Sequence, residues 1–321
     1  MLKYIARRLA QMVPVFIGVT ILLFVLTVVT PGDPIKMRVG DRAMSAAQEQ
    51  AMRKAYKLDR PLYEQYWDYV SRLFKGDLGE SYRQGRPVTT LYRDLYPNTA
   101  KLAVCALAVE ILIGLAAGII SAIRRYSFAD VFVTLSTSIL VSLPVFWLGM
   151  LMQALFGIQF KRWGIPYLPV SGMVTDGFPE WTNLVMPSIV LASVSTAYVA
   201  RIMRSQLLEV MNQDYIRTAT AKGLSERAVT WKHALKNALI PVVTFFGLDF
   251  GAMMSGAILT ETVFNWPGIG YTVYQAIQQR DWPVVMGGVI MIVVVVMVIN
   301  LLVDISYAFL DPRIRYGTES A

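Results

Sequence analysis

Along the chain, apolar residues gather into six long blocks separated by polar stretches. The first runs from about Leu9 to Val29 without a charge, and the second from about Leu102 to Ile123 with Glu110 as its only charge. The third starts near Val131 and meets no charge until Lys161. The fourth and shortest covers about Leu184 to Ala200, the fifth Ala238 to Thr260 with Asp249, and the sixth Val284 to Leu310 with Asp304. Each reaches or approaches the roughly 20 residues that a helix needs to cross a hydrocarbon core about 30 Å thick. Backbone exposed to lipid finds no water to bond, so the blocks are predicted to be helices. The expected fold is an all-α membrane protein with six transmembrane helices.

The polar stretches are patterned too. In the 31–98 segment, Pro61 opens a run in which Leu62, Tyr66, Tyr69, Val70 and Leu73 fall on one helical face. A helix-compatible stretch from Ser45 to Lys57 precedes it, and Leu78 to Arg86, with Gly79 and Gly85 among polar residues, reads as loop. Pro97-Asn98 is expected to stop one element and cap the second span. The segment is therefore expected to be a small helical cap on the outer face, an extracytoplasmic helical insertion after the first span.

Charge location orients the chain. With the N-terminus inside, the start, the 123–130 turn, the 201–237 loop and the tail hold fourteen Lys and Arg. The two short outer loops hold only Lys161, Arg162 and Arg280. That asymmetry predicts both termini in the cytoplasm. The basic start (Lys3, Arg7, Arg8) has the look of a signal peptide. However, its apolar stretch is too long, and Thr30-Pro31-Gly32-Asp33-Pro34 offers no small-x-small cleavage site, so it is expected to remain as an anchor.

Composition narrows the function. Hydrophobic residues make up 55% and charged residues 16%, against about 25% charged in an average soluble domain. Mean hydropathy is +0.48. A cytosolic enzyme, a disordered chain and a secreted disulfide scaffold are excluded as first readings. The net charge of +8 comes without a basic stripe interleaved with aromatics, so no nucleic acid partner is expected. One cysteine, Cys105, and one histidine, His233, leave neither a disulfide nor a Cys/His metal site, and no nucleophile–base pair of the common kinds. Cys105 reads as a packing residue and His233 as a surface residue of a cytoplasmic helix. No G-x-x-x-x-G-K-[ST] loop is present to cradle a nucleotide. The chain is expected to be no enzyme and to carry no cofactor.

Three carboxylates fall inside the apolar blocks, where an ionised group costs about 2.5–3.5 kcal/mol on insertion scales. Asp304 is near the cytoplasmic end of its block and is expected to be paired structurally. Asp249, eleven residues from Ala238, sits centrally, and a translocation pathway and a structural pairing are both open to it. Glu110 is a second pathway candidate. Asp77 and Glu80, in a glycine-containing loop, are expected to be solvated.

The most informative polar stretch runs from Glu209 to Ser225. It reads as a helix ending at Gly223, a residue suited to a left-handed C-terminal cap, followed by a second helix capped by Ser225 and ending before Pro241. Two short helices at an angle would form a projecting knob that presents Ala219 to a groove on a soluble partner. Here the chain resembles the EAA loop of binding-protein-dependent ABC importers, whose pattern is E-A-A, three residues, Gly, then nine residues and I-x-L-P. The matching positions are Arg217, Thr218, Ala219 and Gly223; the Glu and first Ala are replaced, and Pro241 comes later than the pattern puts it. Asp-Tyr-Ile-Arg-Thr-Ala-x-Ala-Lys-Gly-Leu (214–224) followed by His-Ala-Leu-Lys-Asn-Ala-Leu-Ile-Pro (233–241) is similar to the peptide/nickel branch in particular. So are Pro31-Gly32-Asp33-Pro34, Gly76-Asp77-Leu78-Gly79, the run from Thr260 to Gly270, Arg280 to Val284, and Asp311 to Tyr316.

The resemblance covers nearly the whole chain and implies a permease subunit of an importer in a bacterial cytoplasmic membrane. The implied partners are a second homologous permease, two ATPase subunits that bind ATP and Mg, and an extracytoplasmic solute-binding protein. Arg217, Thr218, Ala219, Gly223 and Leu224 would couple to the ATPases. On this reading 1–97 is the first span with its outer segment, 98–310 a five-helix core with coupling loop 201–237, and 311–321 a tail. Di- and oligopeptides are the leading substrate class, with nickel chelates, glutathione and oligosaccharides as alternatives. A secondary transporter competes, but the paired broken repeats typical of such proteins are not evident.

Overall fold

The computed structural model describes residues 2–29, 35, 45–55 and 57–310. The 31–34 motif and the tail from Asp311 lie outside these. Among the described residues the helices, in chain order, begin with α1 (Leu2–Val29), α2 (Ala46–Ala55) and α3 (Leu62–Phe74). There follow α4 (Val88–Ile123), α5 (Phe128–Ser142), α6 (Val145–Arg162), α7 (Thr182–Met211) and α8 (Asp214–Ala221). The last four are α9 (Glu226–Met254), α10 (Ile258–Val263), α11 (Ile269–Gln279) and α12 (Trp282–Leu310). Helices α1, α4, α7, α9 and α12 are long and apolar enough to cross a bilayer, and the bent pair α5–α6 makes a sixth span if counted as one.

The six blocks and the helical insertion are thus present, but four boundaries differ from expectation, each for a physical reason. Helix α4 does not begin after Pro97; it runs straight through it, because its first two turns bury Val88, Leu91 and Tyr92 against α11 and α12. That packing outweighs the one backbone bond that a proline removes. The third block is not one rod. It bends by 106° between α5 and α6, at Leu143-Pro144. A residue before proline is pushed out of the α region, and Leu143 is extended (φ −87°, ψ 131°). The fourth span is among the longest instead of the shortest, since the helix continues past Arg201 and Arg204 to Met211. Finally, the helix capped by Ser225 does not stop before Pro241. It continues as α9 and itself becomes the fifth span, which ends at Met254 rather than Thr260.

Helix α7 is the most buried span, and α4, α5, α6, α9 and α10 all pack on it. Between helices in lipid there is little hydrophobic driving force, so close approach of small residues supplies the contact. Gly114 and Gly118, one turn apart, face α7: a Cβ on Gly118 would sit 2.6 Å from the Ala200 carbonyl oxygen and 2.6 Å from Met203 Cβ. Gly247 and Gly251 repeat the device between α9 and the Val303 and Ile299 side chains of α12. At the end of the bundle that carries α8, Arg8 of α1 pairs with Asp304 of α12 at 3.0 Å, the structural pairing expected for that carboxylate.

The insertion forms α2 and α3. Ser45 and Gln48 cap α2 reciprocally, each side chain bonding the other's backbone N–H. Helix α3 lies along α1 through Tyr66, whose ring meets Phe24 at 5.5 Å, and through Phe74, 6.3 Å from Phe16. Lys57 bonds Asp68, and this contact holds the Asp68 carboxyl below the usual carboxylate range.

The glycine seam can be tested directly. Gly118→Ala is expected to cost about 1–3 kcal/mol by overpacking. Gly18→Ala, on α1 with nothing within 4 Å of the new methyl, is expected to be neutral or slightly stabilising. Thermal unfolding of both variants in detergent checks the contrast.

Candidate functional site

Three polar assemblies stand out, at the two ends of the bundle and in its middle. The first is the α8 knob. Gly223 follows α8 at φ +78°, the left-handed conformation the sequence led us to expect. Ser225 then accepts the Ala228 N–H at 3.3 Å and starts α9. Ile216 and Ala219 are buried, sharing a cluster with Leu207, Val229, Ala234 and Ala238. Ala219 therefore seats α8 on its own chain and is not presented outward, contrary to the expected arrangement. Arg217, Thr218 and Leu224 are exposed, as is Tyr215, whose hydroxyl accepts from Asn237 at 2.8 Å. The exposed face of the knob is a mixed apolar and basic surface, with Trp231 and Met211 on its flanks.

At the same end of the bundle, α4, α5 and α7 are joined by an ion pair that the sequence pattern does not reveal. Asp130, in the first turn of α5 and 4% exposed, accepts two bonds from the Arg204 guanidinium of α7, at 2.7 and 2.8 Å. It also bonds Ser121 of α4 and accepts the Tyr126 N–H at 2.9 Å. Three helices and one turn thus converge on a single carboxylate, and Arg204 lies about two turns before the end of α7. The sequence hint was an acid three residues after Ser127 at a helix start, which is a capping pattern. Its partner, 74 residues away, has no local signature.

In the middle of the bundle the structure brings Glu110 and Asp249 together. Glu110 opens a π-helical turn of α4, Glu110–Gly114, and is fully buried. Asp249 reaches it from α9, near enough for each charge to act on the other. Ionised carboxylates only accept, so the two do not satisfy each other as anions. Both Glu110 oxygens and Asp249 Oδ2 lack a hydrogen-bond donor among the described residues, as does the neighbouring Thr196 hydroxyl.

The opposite end is clamped by two further buried acids. Glu261, 0% exposed, accepts the Thr99 hydroxyl and the Tyr271 N–H, each at 2.8 Å. Thr99 in turn accepts the Ile269 N–H at 2.9 Å. Trp266 donates to the Asn98 carbonyl and Asn98 to the Pro267 carbonyl, closing α10, α11 and α4 into one block. Gly268 is required there, because a Cβ would fall 2.3 Å from the Glu261 carboxylate. Asp281 holds the 81–83 loop by the Ser81 hydroxyl (2.5 Å) and the Tyr82 and Arg83 N–H groups (3.0 and 3.2 Å). By contrast, Asp77 is exposed and caps only the Gly79 N–H. Among the described residues no group of three or more His, Cys, Asp or Glu side chains is placed to hold a metal ion.

Residues 114–316 match the family described as binding-protein-dependent transport system inner membrane component, and residues 1–103 match its N-terminal region. The chain belongs to this family. It is accordingly a multi-pass component of the inner membrane. Among its relatives, the di/tripeptide transport system permease DppB of Pseudomonas aeruginosa is 40% identical over 98% of this chain and 99% of its own length. The dipeptide permease DppB of Escherichia coli is 37% identical over the same shares, and the glutathione permease GsiC of Pectobacterium atrosepticum 39% over 98% and 100%. Two solved structures share the fold: the MetNI methionine ABC transporter, with TM-score 0.52 and 18% identity, and an amino acid ABC transporter with histidines, with 0.53 and 15%. Each covers 69% of this chain, with 96% and 94% of their own chains matched.

The Asp130–Arg204 pair yields a prediction. Arg204→Leu leaves a buried carboxylate without its cation, at an expected cost of about 3–5 kcal/mol. Adding Asp130→Asn in the same chain should recover part of that loss. A double-mutant cycle on unfolding in detergent reads the recovery.

Proposed function

We propose that this chain is one of two membrane subunits of an ATP-driven importer for di- and oligopeptides, with both termini in the cytoplasm. It would pass substrate from an external binding protein to the cytoplasm by alternating access. The second homologous permease, and two ATPase subunits holding ATP and Mg, complete the assembly. The observation that carries the reading is the end-to-end similarity to dipeptide permeases, joined to a projecting α8 whose exposed face is free for a partner. The chain's own work is mechanical. ATPase closure would push on Arg217, Thr218 and Leu224, Ala219 would pass the load into α9, and Asp130–Arg204 would carry it into α5 and α7. Asp249 and Glu110 are assigned to the translocation pathway, where carboxyl oxygens left without donors suit the passage of a substrate bearing an α-ammonium group.

A second substrate class, glutathione, is favoured by the 39% identity to GsiC. Binding of peptide, glutathione, metal-chelate and sugar libraries to the cognate solute-binding protein separates the two. Uptake of none of these in proteoliposomes holding the whole complex would count against the importer reading itself.

The coupling role is tested at Gly223. A methyl there meets no neighbour within this chain, so the intramolecular cost of Gly223→Ala is backbone strain at φ +78°. Gly223→Val is expected to leave the spans inserted but to lose the ATPases on purification or to uncouple hydrolysis from uptake, with Gly223→Ala milder. A second test is Asp249→Leu, expected to reduce transport while assembly persists. The measurements are ATPase co-purification and substrate-stimulated hydrolysis.

A further inference from the structure

Helix α3 has more apolar surface than its neighbours cover. Its polar residues, among them Glu64, Asp68, Ser71 and Arg72, occupy one side, and the remaining side is apolar around nearly half of the circumference. Tyr66, Tyr69 and Leu73, at the centre of one half of that sector, are partly buried. The other half is bare: Tyr63 and Trp67 are each 72% exposed and Phe74 is 79% exposed. These three recur at i, i+4 and i+11, so they form one stripe along the helix.

The stripe's depth decides what covers it. Helix α3 does not sit beyond the end of α1. Tyr66 touches Thr20 and Phe24, and Phe74 reaches Phe16. Phe16 is thirteen residues from Val29, about 20 Å along the helix at 1.5 Å per residue. A hydrocarbon core is about 30 Å thick, so the Phe74 end of α3 lies well inside the span of α1, and the Tyr63 end lies near its boundary. The adjoining surface of α1 is itself apolar and exposed, through Val13, Ile17, Ile21 and Val25. Asp68, Arg72 and Gln65 turn the other way, into a cavity of roughly 370 Å³ between α1, α3 and the start of α12.

We propose that α3 is a lipid-facing helix whose Tyr63–Trp67–Phe74 stripe is seated in the bilayer from its outer side, continuing the lipid-facing surface of α1. The order of residues fits that seat. Tyr and Trp, with an apolar ring and a polar tip, occupy the shallow end where headgroups meet acyl chains, and Phe occupies the deep end. Because α3 runs along α1, the stripe descends with it from the boundary into the acyl chains. The partner is therefore the acyl-chain and headgroup boundary of a bilayer. The helix thereby anchors the 45–87 segment at a set depth, and with it the loop that Asp281 grips.

The proposal rests on α1 crossing the bilayer with Val29 outward, and the test separates the two. In a Cys105→Ala background, single spin labels are placed by Tyr63→Cys, Trp67→Cys and Phe74→Cys in the full chain, co-expressed with its partners and reconstituted in phosphatidylethanolamine–phosphatidylglycerol vesicles. Val25→Cys on α1 is the lipid reference and Gln84→Cys, in the exposed loop, the aqueous one. Collision rates with oxygen, which concentrates in lipid, and with a water-soluble nickel chelate are then read by power saturation. The expected result is an oxygen-to-nickel ratio several-fold above that of Gln84→Cys at all three positions, rising from position 63 to 74. A ratio equal to that of Gln84→Cys would overturn the proposal, placing the stripe in water. Shielding from both reagents would overturn it too, because a protein partner would then cover the stripe. A low ratio at Val25→Cys would instead reject the spanning of α1. If one variant fails to assemble, the other two still decide.

Discussion

Everything else in this fold hangs on how closely α4 can approach α7. The Gly118 contact leaves room for a hydrogen where a methyl would collide with a carbonyl oxygen, and in lipid no hydrophobic force compensates for a looser fit. Because α7 is also the surface on which α5, α6, α9 and α10 lie, the depth of that one groove sets the spacing of the whole bundle. It also sets which polar groups meet. Glu110 stands one turn before Gly114 on the same helix, so the seam that seats α4 also brings the acid within reach of α9.

The buried acids divide by what they touch. Asp130 and Glu261 each take donors from two or more elements, Asp281 takes three from one loop, and all three behave as fasteners at the two ends of the bundle. Both Glu110 oxygens and Asp249 Oδ2 have no such supply among the described residues, and, Glu110 apart, Asp249 has only Ser195 beside it. The distribution of donors thus ties the two ends of the bundle firmly and leaves its middle less tied. The α8 knob belongs to the rigid part, since Ile216 and Ala219 are sunk into the base of α9.

The six apolar blocks, the capped turn at Gly223 and the amphipathic α3 were legible in the sequence because each is a local pattern. The misread boundaries share a cause. Pro97 and Pro241 look like stops to any local rule, yet tertiary packing carries both helices through them, whereas Pro144 sits where nothing opposes the break. Arg201 and Arg204 look like the edge of a span, because charge ends a run of apolar residues. In the fold, Arg204 is neutralised by Asp130 and the helix runs on. An ion pair made 74 residues apart and a hydrogen bond made 200 apart leave no periodic trace, so the contacts of Asp130 and Asp281 surface only in three dimensions. The sequence puts Ala219 on a helix but not on one side of it, because a small residue in a short helix is equally compatible with a bare contact face and with the tight seat it takes.

The Leu143-Pro144 corner carries one more implication. A helix that ends there leaves the carbonyls of its last turn, Ile139 to Ser142, without intrahelical donors. Hydroxyls of Ser138 and Ser142 bond carbonyls further back, those of Thr134 and Ser138, so they do not relieve that turn. Each stranded carbonyl facing hydrocarbon would cost several kcal/mol. The inside of that corner must therefore look toward water or toward another protein chain, which makes it a wetted elbow in an otherwise dry ring of helices.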